Sequence, residues 1–274
     1  MSKLYIDIGG TYLRSELLKN GKTFKEKVSS RGISLSEYLE QKLGAYPDIA
    51  EIGISFAGQV DHGKIVSSPN IAVKEYDIKK YIEKKYPVSL KIDNDLNCAM
   101  LAEKEDIKRK NMALLYIGTG MGSAVLEQGE IVRGERNLAY EIGHVPFKKA
   151  PFRCGCGKDN CLELFSSGSG LKKWYTYYGL PQMTLEELRK SKDKYAKKIY
   201  QNFQEGLFRA AATLVTLANP KVLVLGGGVV SANHFLKEKV EKKIGKYALA
   251  SNLEGLEIKL SQLKNASIEG AKQL

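Results

Sequence analysis

The sequence predicts an α/β fold built from two related halves, the second of which contains a metal-binding loop. Residues 3–18 and 112–128 share one order: a strand, a glycine-rich turn and a returning strand. One histidine and three cysteines cluster within residues 144–161. With 274 residues and 43% hydrophobic composition, the chain is long enough for two cores that share a cleft.

The first glycine turn has the composition of a phosphate-binding loop. A strand over residues 3–8 contains Asp7 and ends before Gly9, Gly10 and Thr11, and a strand over 12–18 returns. Backbone N–H groups exposed by the glycines, together with the Thr11 hydroxyl, can hold a phosphate. An ordinary β-turn is the alternative.

The rest of the first half alternates helices and strands. Apolar periodicity predicts helices over 34–43 and 77–86 and strands over 49–56 and 88–92. The last strand ends at Asp93, Asn94 and Asp95, where a helix begins. Helix capping is one interpretation for these polar residues, because Asp and Asn are favoured caps.

The second half repeats the strand and glycine turn. A strand over 112–117 leads to the turn residues Gly118, Thr119 and Gly120, and the returning strand covers 123–128. Two such hairpins suggest a duplicated fold that binds phosphates from both sides of a cleft. Further along, we predict helices over 170–178, 184–200 and 203–218 and one buried strand over 222–225. The strand runs into Gly226, Gly227 and Gly228, which alone would indicate only a turn.

Four residues have the chemistry of a closed zinc site: His144, Cys154, Cys156 and Cys161. Thiolates and imidazole suit Zn²⁺, and four protein ligands leave no position for a catalytic water, so such a site is structural. Gly155 and Gly157 permit tight turns, and Asn160 can adopt a left-handed conformation. A flexible loop with unrelated thiols and a redox-active cluster are the alternatives.

Two glutamates flank this loop, Glu141 before it and Glu163 at its end. Carboxylates held in place in this way can accept hydrogen bonds from a polyhydroxylated ligand. The cysteine usage favours a metal site in a reducing compartment over a disulfide framework. Cys98, the remaining cysteine, is predicted to be a small buried hydrophobe.

The excess of basic residues raises the question of nucleic acid. There are 43 Lys plus Arg against 31 Asp plus Glu, a net charge of +12. These residues are interleaved with acids on helical segments, so we predict a solvated surface and no nucleic-acid partner. Similarly, we predict that the aromatic run 174–178 forms core or a subunit contact rather than a base-stacking platform. No apolar run could span a membrane and the first residues enter a strand directly, so we expect no membrane partner and a cytoplasmic location.

The runs GEIVRGERNLAYEIGHVPF and CGCGKDNCLELFSSG resemble the signature of the ROK family, which contains sugar kinases and sugar-responsive repressors. The resemblance implies a two-domain actin-like ATPase fold of the ribonuclease H-like kind, with a structural zinc loop at 144–161. It implies an N-terminal domain over 1–110, completed by a helix over 266–274, and a C-terminal domain over 111–265. ATP and sugar would meet between the halves.

The resemblance also implies roles for individual residues. Asp95, in the run IDNDLNCAMLAE, matches the general base, and Asp93 is left with a structural role. Sugar contacts would come from Gly58, Asn70, Asn94, Asp95, Glu141, His144 and Glu163. ATP and Mg²⁺ would be held by Asp7, Gly9, Gly10, Thr11, Gly118, Thr119, Gly120, Gly226 and Gly227. His144 and the three cysteines would hold Zn²⁺.

The implied activity is like that of a glucokinase or hexokinase: transfer of the γ-phosphate of ATP to a hexose hydroxyl, mostly the 6-hydroxyl, by a homodimer. The runs GTGMGSAV, SSPNI and SGSGLKKWY look closer to allose kinases than to glucokinases, and an N-acetylmannosamine kinase is a further alternative. A sugar-sensing regulator without catalysis is the alternative of a different class. Repressors of the family carry a helix-turn-helix domain before the first phosphate motif, and we expect none before Asp7.

Overall fold

The structure, a computed structural model, describes residues 1–68 and 71–274 and divides into two compact units. The first unit contains residues 1–108, 132–139 and 263–274, and the second contains 109–131 and 140–262. The short segment 132–139 therefore leaves the second unit and packs with the first. The boundary predicted at residue 110 did not include this crossing.

Twelve strands and nine α-helices are found in the described part of the chain. The strands are β1 (Ser2–Ile8), β2 (Tyr12–Lys19), β3 (Lys22–Ser29), β4 (Ile49–Phe56), β5 (Gln59–Asp61), β6 (Lys64–Ser67), β7 (Ser89–Asn94), β8 (Met112–Ile117), β9 (Met121–Glu127), β10 (Glu130–Ile131), β11 (Val222–Gly226) and β12 (Glu257–Leu260). The helices are α1 (Leu35–Ala45), α2 (Ile78–Lys85), α3 (Asp95–Ile107), α4 (Gly168–Tyr178), α5 (Leu185–Lys190), α6 (Lys194–Ala218), α7 (Gly228–Ser231), α8 (Phe235–Lys243) and α9 (Ala266–Ala271). Short 3₁₀ turns include Ile142–His144 and Leu162–Leu164.

The first unit is a mixed five-stranded sheet in the order β3-β2-β1-β4-β7. β1 pairs with β2 in antiparallel fashion and with β4 in parallel, and β4 is parallel to β7. The register places Asp7 beside Ser55 and Ser55 beside Asp93. Because side chains alternate along a strand, these three side chains form a row on one face, near the carboxyl edge of the sheet.

Helices α3 and α9 lie on that face and approach it closely. A Cβ at Gly53 of β4 would lie 2.1 Å from the carbonyl oxygen of Ala271, and one at Gly270 would lie 1.6 Å from that of Cys98. Only glycine fits at either position, so α9 is held tightly against the sheet and α3. Cys98 itself is fully buried, which confirms the prediction of a buried hydrophobe.

The second unit repeats the topology, with a sheet in the order β10-β9-β8-β11-β12. β8 is antiparallel to β9 and parallel to β11, which is parallel to β12. The long helix α6 buries an apolar face that includes Phe203, Leu207 and Leu214. Trp174 and Tyr175 are buried, as predicted for core, whereas Tyr177 is exposed.

Several predicted elements need correction. The exposed strand β3 was missed because its face shows no apolar alternation, although Asn20 and Gly21 before it have positive φ angles of 50° and 72° and form the tight turn that those residue types favour. Strand β12 and helix α8 were also missed. The predicted helices 184–200 and 203–218 are wrong in their division, because α5 stops at Lys190 and α6 runs unbroken from Asp193, its cap. No helix among the described residues has the length and apolarity to cross a bilayer.

Candidate active site and metal centre

The carboxyl edge of the first sheet carries Asp7 in a defined environment. Its Oδ2 accepts a hydrogen bond from Arg14 Nη1 at 3.0 Å, and its Oδ1 accepts one from Ser55 Oγ at 3.2 Å. Burial raises the pKa of Asp7 above its ordinary value, and the charge of Arg14 and the hydrogen bond from Ser55 oppose this shift. A largely buried carboxylate of this kind has oxygens that could ligate a hard cation such as Mg²⁺.

The turn after β1 is closed by its own backbone. Gly9 N–H donates to Tyr12 O at 3.0 Å, and Thr11 O accepts from Ser30 N–H at 3.1 Å. Gly9 does not have a positive φ, and among the described residues a Cβ there would meet only Tyr12 O, at an ordinary 3.8 Å. The fold itself therefore does not require glycine at this position, which is the pattern expected where a ligand approaches the backbone.

At the β7–α3 junction, Asn94 caps the helix and Asp95 is its first residue. Asn94 Oδ1 accepts from Leu96 N–H at 2.9 Å, and its Nδ2 donates to Gly58 O at 2.9 Å. The capping interpretation thus applies to Asn94, and Asp95 is the acidic residue in the first turn of the helix. Gly58 has no room for a side chain, since a Cβ would lie 2.5 Å from Ser67 O.

Asn70, predicted to contact the sugar, lies outside the described residues. Gly10 and Thr11 lie in the turn between β1 and β2, as predicted, and Thr11 is exposed. Thr119 O accepts from Ser169 N–H at 2.9 Å, so the turn of the second unit is joined to the start of α4.

Asp93 is 2% exposed and is the centre of a hydrogen-bond network that the sequence did not reveal. Its oxygens accept from Arg133 Nη1 at 2.5 Å, Asn97 Nδ2 at 2.9 Å, Asn137 Nδ2 at 2.9 Å and the backbone N–H of Asn94 at 2.7 Å. A buried carboxylate with four donors, one of them cationic, is fully satisfied. Arg133 and Asn137 belong to the crossing segment 132–139, and no spacing or composition signal pointed to them.

The second unit brings two glycine turns together. Within the described part of the chain, a Cβ at Gly118 would meet the backbone nitrogen of Gly228 at 3.8 Å and nothing closer, so packing does not require this glycine either. By contrast, Gly226 is covered by the ring of Tyr116, which would lie 2.1 Å from a Cβ at that position, and Gly227 has a φ of 85° with Ile117 O at 2.5 Å from its own Cβ position. Gly226 and Gly227 therefore have structural reasons to be glycine.

The histidine and the three cysteines of the predicted zinc site converge. Their ligand atoms all lie within 4.8 Å of one another, with His144 Nδ1 3.6 Å from Cys154 Sγ and Cys156 Sγ 3.4 Å from Cys161 Sγ. In a tetrahedral site with Zn–S and Zn–N bonds of about 2.3 and 2.1 Å, the ligand atoms lie at distances from one another similar to those observed here. The residues present therefore fit a tetrahedral Zn²⁺ ion.

The loop is shaped by a hairpin of backbone hydrogen bonds. Leu162 N–H donates to Val145 O at 3.0 Å, and Cys154 N–H donates to Lys158 O at 2.8 Å. Gly157 has a φ of 89°, as a tight turn requires, but the expectation of a left-handed Asn160 is wrong, because its φ is not positive. The turn needs only one left-handed residue, and glycine supplies it.

Glu163 links the cysteine cluster to the glycine turn. Cys154 Sγ donates to Glu163 Oε1 at 2.8 Å, and Glu163 Oε2 lies 3.4 Å from the N–H of Met121, just after Gly120. Burial and the neighbouring carboxylate raise the pKa of the Cys154 thiol, and burial raises the pKa of Cys161 to about 11. A metal ion would displace both thiol protons.

Glu141 and His144 are placed by a 3₁₀ turn that lies directly on β9. A Cβ at Gly143 would lie 2.1 Å from Met121 O, so glycine is needed for this contact. Val145 N–H donates to Ile142 O at 3.2 Å and His144 N–H to Glu141 O at 3.0 Å. The structure thus brings His144 and Glu163 to one cluster and fixes Glu141 at the start of the same turn.

The chain is similar to known sugar kinases along most of its length. It is 27% identical to the glucokinase of Halalkalibacterium halodurans over 95% of this chain and 90% of that protein. It is 30% identical to the N-acetyl-D-glucosamine kinase of Vibrio cholerae over 73% of this chain and 71% of that protein. Its structure superposes on the ROK hexokinase of Thermus thermophilus with a TM-score of 0.80 at 25% identity, covering 99% and 96% of the two chains.

The match to the family extends through both units. The profile of the ROK family covers residues 4–274, which include both glycine turns, the β7–α3 junction and the cysteine loop. The chain therefore belongs to the ROK family.

Proposed function

We propose that this protein is an ATP-dependent sugar kinase that transfers the γ-phosphate of ATP to a hydroxyl of a hexose, the 6-hydroxyl. The observation that carries the proposal is the β7–α3 junction, where Asn94 caps the helix and Asp95 is the next residue. A carboxylate on such a rigid junction can be held within hydrogen-bond distance of a sugar hydroxyl. The membership of the ROK family and the kinases among its relatives support the same activity.

Asp95 is the proposed general base. As the bond to phosphorus forms, the hydroxyl proton passes to the Asp95 carboxylate, and the charge on the transferred phosphoryl group must be stabilised. Mg²⁺ supplies part of that stabilisation when it is bound, and Asp7 is the residue of this chain proposed to help hold it. Among the described residues the Asn94 carboxamide uses one donor and one acceptor position, and it is proposed to bind a neighbouring sugar hydroxyl through the other two.

The glycine turns are proposed to bind the phosphates of ATP through backbone N–H groups. Gly9 and Gly118 support this role because the fold leaves space for a side chain at each position and yet glycine stands there. Gly226 and Gly227 are proposed to border the nucleotide, in addition to their packing roles. Backbone donors fixed in this way need no reorganisation during the reaction.

Zn²⁺ is proposed to hold the loop that orients the sugar. His144 directs Nδ1 to Cys154 Sγ, so its Nε2 can donate to a sugar hydroxyl. Thiolates bound to a metal have no proton to donate, and Glu163 would then exchange its bond from Cys154 for one from the sugar. Glu141 is the second proposed carboxylate acceptor. A homodimer and a cytoplasmic location complete the proposal.

The test is ADP release with Mg²⁺, ATP and a panel of glucose, allose, mannose, fructose, N-acetylglucosamine and N-acetylmannosamine. A sugar kinase releases ADP with at least one of these sugars, well above the rate without sugar. A sugar-sensing regulator would bind a sugar from the panel, as calorimetry can detect, without any turnover. ADP release at the same rate without sugar and with each sugar of the panel would refute the proposed activity.

A further inference from the structure

One asparagine side chain joins the crossing segment 132–139 to the strand end that carries Asn94 and Asp95. Asn137 Nδ2 donates to Val60 O at 2.9 Å and to Asp93 Oδ1 at 2.9 Å. Its Oδ1 accepts from Arg133 Nη1 at 2.7 Å and from Asn97 Nδ2 at 3.2 Å. A carboxamide has two N–H donors and two lone pairs, so every hydrogen-bonding position of this side chain is used within the first unit.

The backbone of Asn137 is also unusual. Its φ of 55° lies in the left-handed region, which few residues other than glycine adopt, although asparagine is enriched there. Such conformations persist where surrounding contacts determine them fully, and they concentrate near functional sites. Here the four hydrogen bonds of the side chain supply that determination.

The groups that Asn137 connects belong to two parts of the proposed site. Val60 lies in β5, in the loop that begins at Gly58, and Gly58 O accepts from Asn94 Nδ2. Asp93 is separated from Asp95 by Asn94 alone. The loop and the β7–α3 junction are therefore bonded at two points, once through Asn94 and once through Asn137.

The charge at this point is balanced by the same segment. Asp93 is buried, and the guanidinium of Arg133 is its cationic partner at 2.5 Å. Asp61, at the end of β5, accepts from Arg136 Nε at 3.3 Å. Segment 132–139 thus contributes two ion pairs. Arg133 joins it to the β7–α3 junction through Asp93, and Arg136 joins it to the loop that begins at Gly58 through Asp61.

We propose that Asn137 is a positioning residue for the phosphoryl transfer: by joining Val60 to Asp93, it fixes the loop at Gly58 and the carboxylate of Asp95 in one arrangement. This inference rests on the proposed kinase function. Asn137 touches neither the sugar nor ATP in the roles assigned above. It acts through Asp93 and the end of β7, and a displacement of about 1 Å in such a position can cost about 100-fold in rate.

The test is Asn137→Gly, with Asn20→Gly as the matched control. Glycine accepts the left-handed backbone at both positions, since φ is 55° at Asn137 and 50° at Asn20, and Asn20 lies in the exposed β2–β3 turn. The first variant removes all four side-chain hydrogen bonds without adding backbone strain. The readouts are kcat, KM for the sugar, KM for ATP and the melting temperature.

We expect Asn137→Gly to lower kcat by about 10- to 100-fold, to leave KM for ATP within about twofold and to remain folded at the assay temperature. Asn20→Gly should retain the kcat of the original protein. A merely structural role would lower the melting temperature of Asn137→Gly and leave kcat per folded molecule unchanged, and that result overturns the inference. If the wild-type chain itself shows no sugar-dependent turnover, the proposed function has failed instead.

Asn97→Ala provides a second variant should Asn137→Gly fail to fold. Asn97 is half-buried in α3, where alanine is well tolerated, and the change removes one hydrogen bond each from Asn137 and Asp93 while Asp93 keeps its cationic partner Arg133. We expect kcat to fall by about 3- to 10-fold, less than for Asn137→Gly because the asparagine keeps its other bonds. Wild-type kcat in a folded Asn97→Ala protein, where the glycine variant gives no folded protein, would also overturn the inference.

Discussion

The two sheets share one strand order, yet they carry different chemistry at the same edge. In the first unit, neighbouring parallel strands place Asp7, Ser55 and Asp93 in a row near their carboxyl ends. In the second unit, Tyr116 lies beside Gly226, and the Tyr116 hydroxyl reaches Ser261 Oγ at 3.0 Å. The topology thus fixes where functional groups can stand, whereas the strands' own side chains make the first edge acidic and the second neutral.

This difference suits the proposed division of work. The acidic edge, which continues into Asp95, is suited to hold a cation and to accept a proton. The neutral edge, with Gly118 and Gly227 after its strands, is suited to backbone contacts with phosphates. A duplicated scaffold can therefore place the proton acceptor on one edge alone, while the proposed phosphate-binding glycine turns stand in both units, without a change of fold.

The largest expected effect tests the acidic edge. Asp95→Asn keeps the shape and the position in α3 but removes the base, and we expect kcat for the preferred sugar to fall by about 10²–10⁴-fold. The melting temperature should change little, because Asn94 caps the helix. Asp106→Asn, an exposed change in the same helix, is the control and should be fully active. Activity of Asp95→Asn close to wild type would show that the acidic edge does not supply the base.

A change in the cysteine loop tests whether sugar binding by the second unit depends on a bound metal rather than on the sheet of that unit. Cys161→Ala removes one of four converging ligands, and we expect loss of bound zinc and a rise of about 10- to 100-fold in KM for the sugar, because His144 and Glu163 lose their support. Elemental analysis and steady-state kinetics measure these outcomes. Cys98→Ala, at a buried cysteine outside the cluster, should keep its zinc. Equal zinc content in both variants would contradict the metal assignment.

The glycines of the neutral edge should separate into two classes. Gly118→Ala adds a Cβ at an ordinary contact distance of 3.8 Å from Gly228 N, so we expect a normal melting temperature and a rise of about 10-fold or more in KM for ATP, equivalent to one lost charge-assisted hydrogen bond. Gly227→Ala forces a side chain into a left-handed backbone beside Ile117 O, and we expect a loss of about 1–3 kcal/mol in the free energy of unfolding. Thermal unfolding and ATP titration distinguish them. The same changes in thermal stability and in KM for ATP in both variants would contradict the division into two classes.

The smallest expected effect concerns the cost of the acidic edge to stability. The pKa of Asp7 is raised in the folded protein, mainly by burial, so its ionisation disfavours folding as the pH rises above the ordinary value of 3.8. Asp7→Asn should therefore gain stability relative to wild type as the pH increases through this region, while kinase activity is lost. Denaturant unfolding at acidic and neutral pH gives the difference. A difference that shrinks as the pH rises would contradict the sign of the shift.

Much of the fold could be predicted because its signals are local. The alternation of β1, the capped face of α1 and the apolar runs of β4 and β8 gave elements close to those observed. The exposed strand β3 could not be found by apolar alternation, since nearly all its residues face solvent. Helix α6 was divided in the prediction because its polar face interrupts the apolar pattern.

The site was predictable where its residues form a contiguous run and unpredictable where they meet only in space. The four residues of the cysteine loop converge as their spacing indicated. Arg133 and Asn137 reach Asp93 only because segment 132–139 packs with the first unit, and nothing in the run RGERN predicts this. Their role became visible through distances, not through residue pattern.

Phosphorus NMR of the reaction products tests the central claim most directly. Wild-type protein, Mg²⁺, ATP and the sugar that supports turnover should yield ADP and a sugar phosphomonoester in equal amounts, and Asp95→Asn should yield neither at a comparable rate. The position of the phosphate on the sugar, read from the coupling to its neighbouring protons, should be the 6-hydroxyl. Formation of ADP with inorganic phosphate alone, or a sugar phosphate made equally well by Asp95→Asn, would contradict the account.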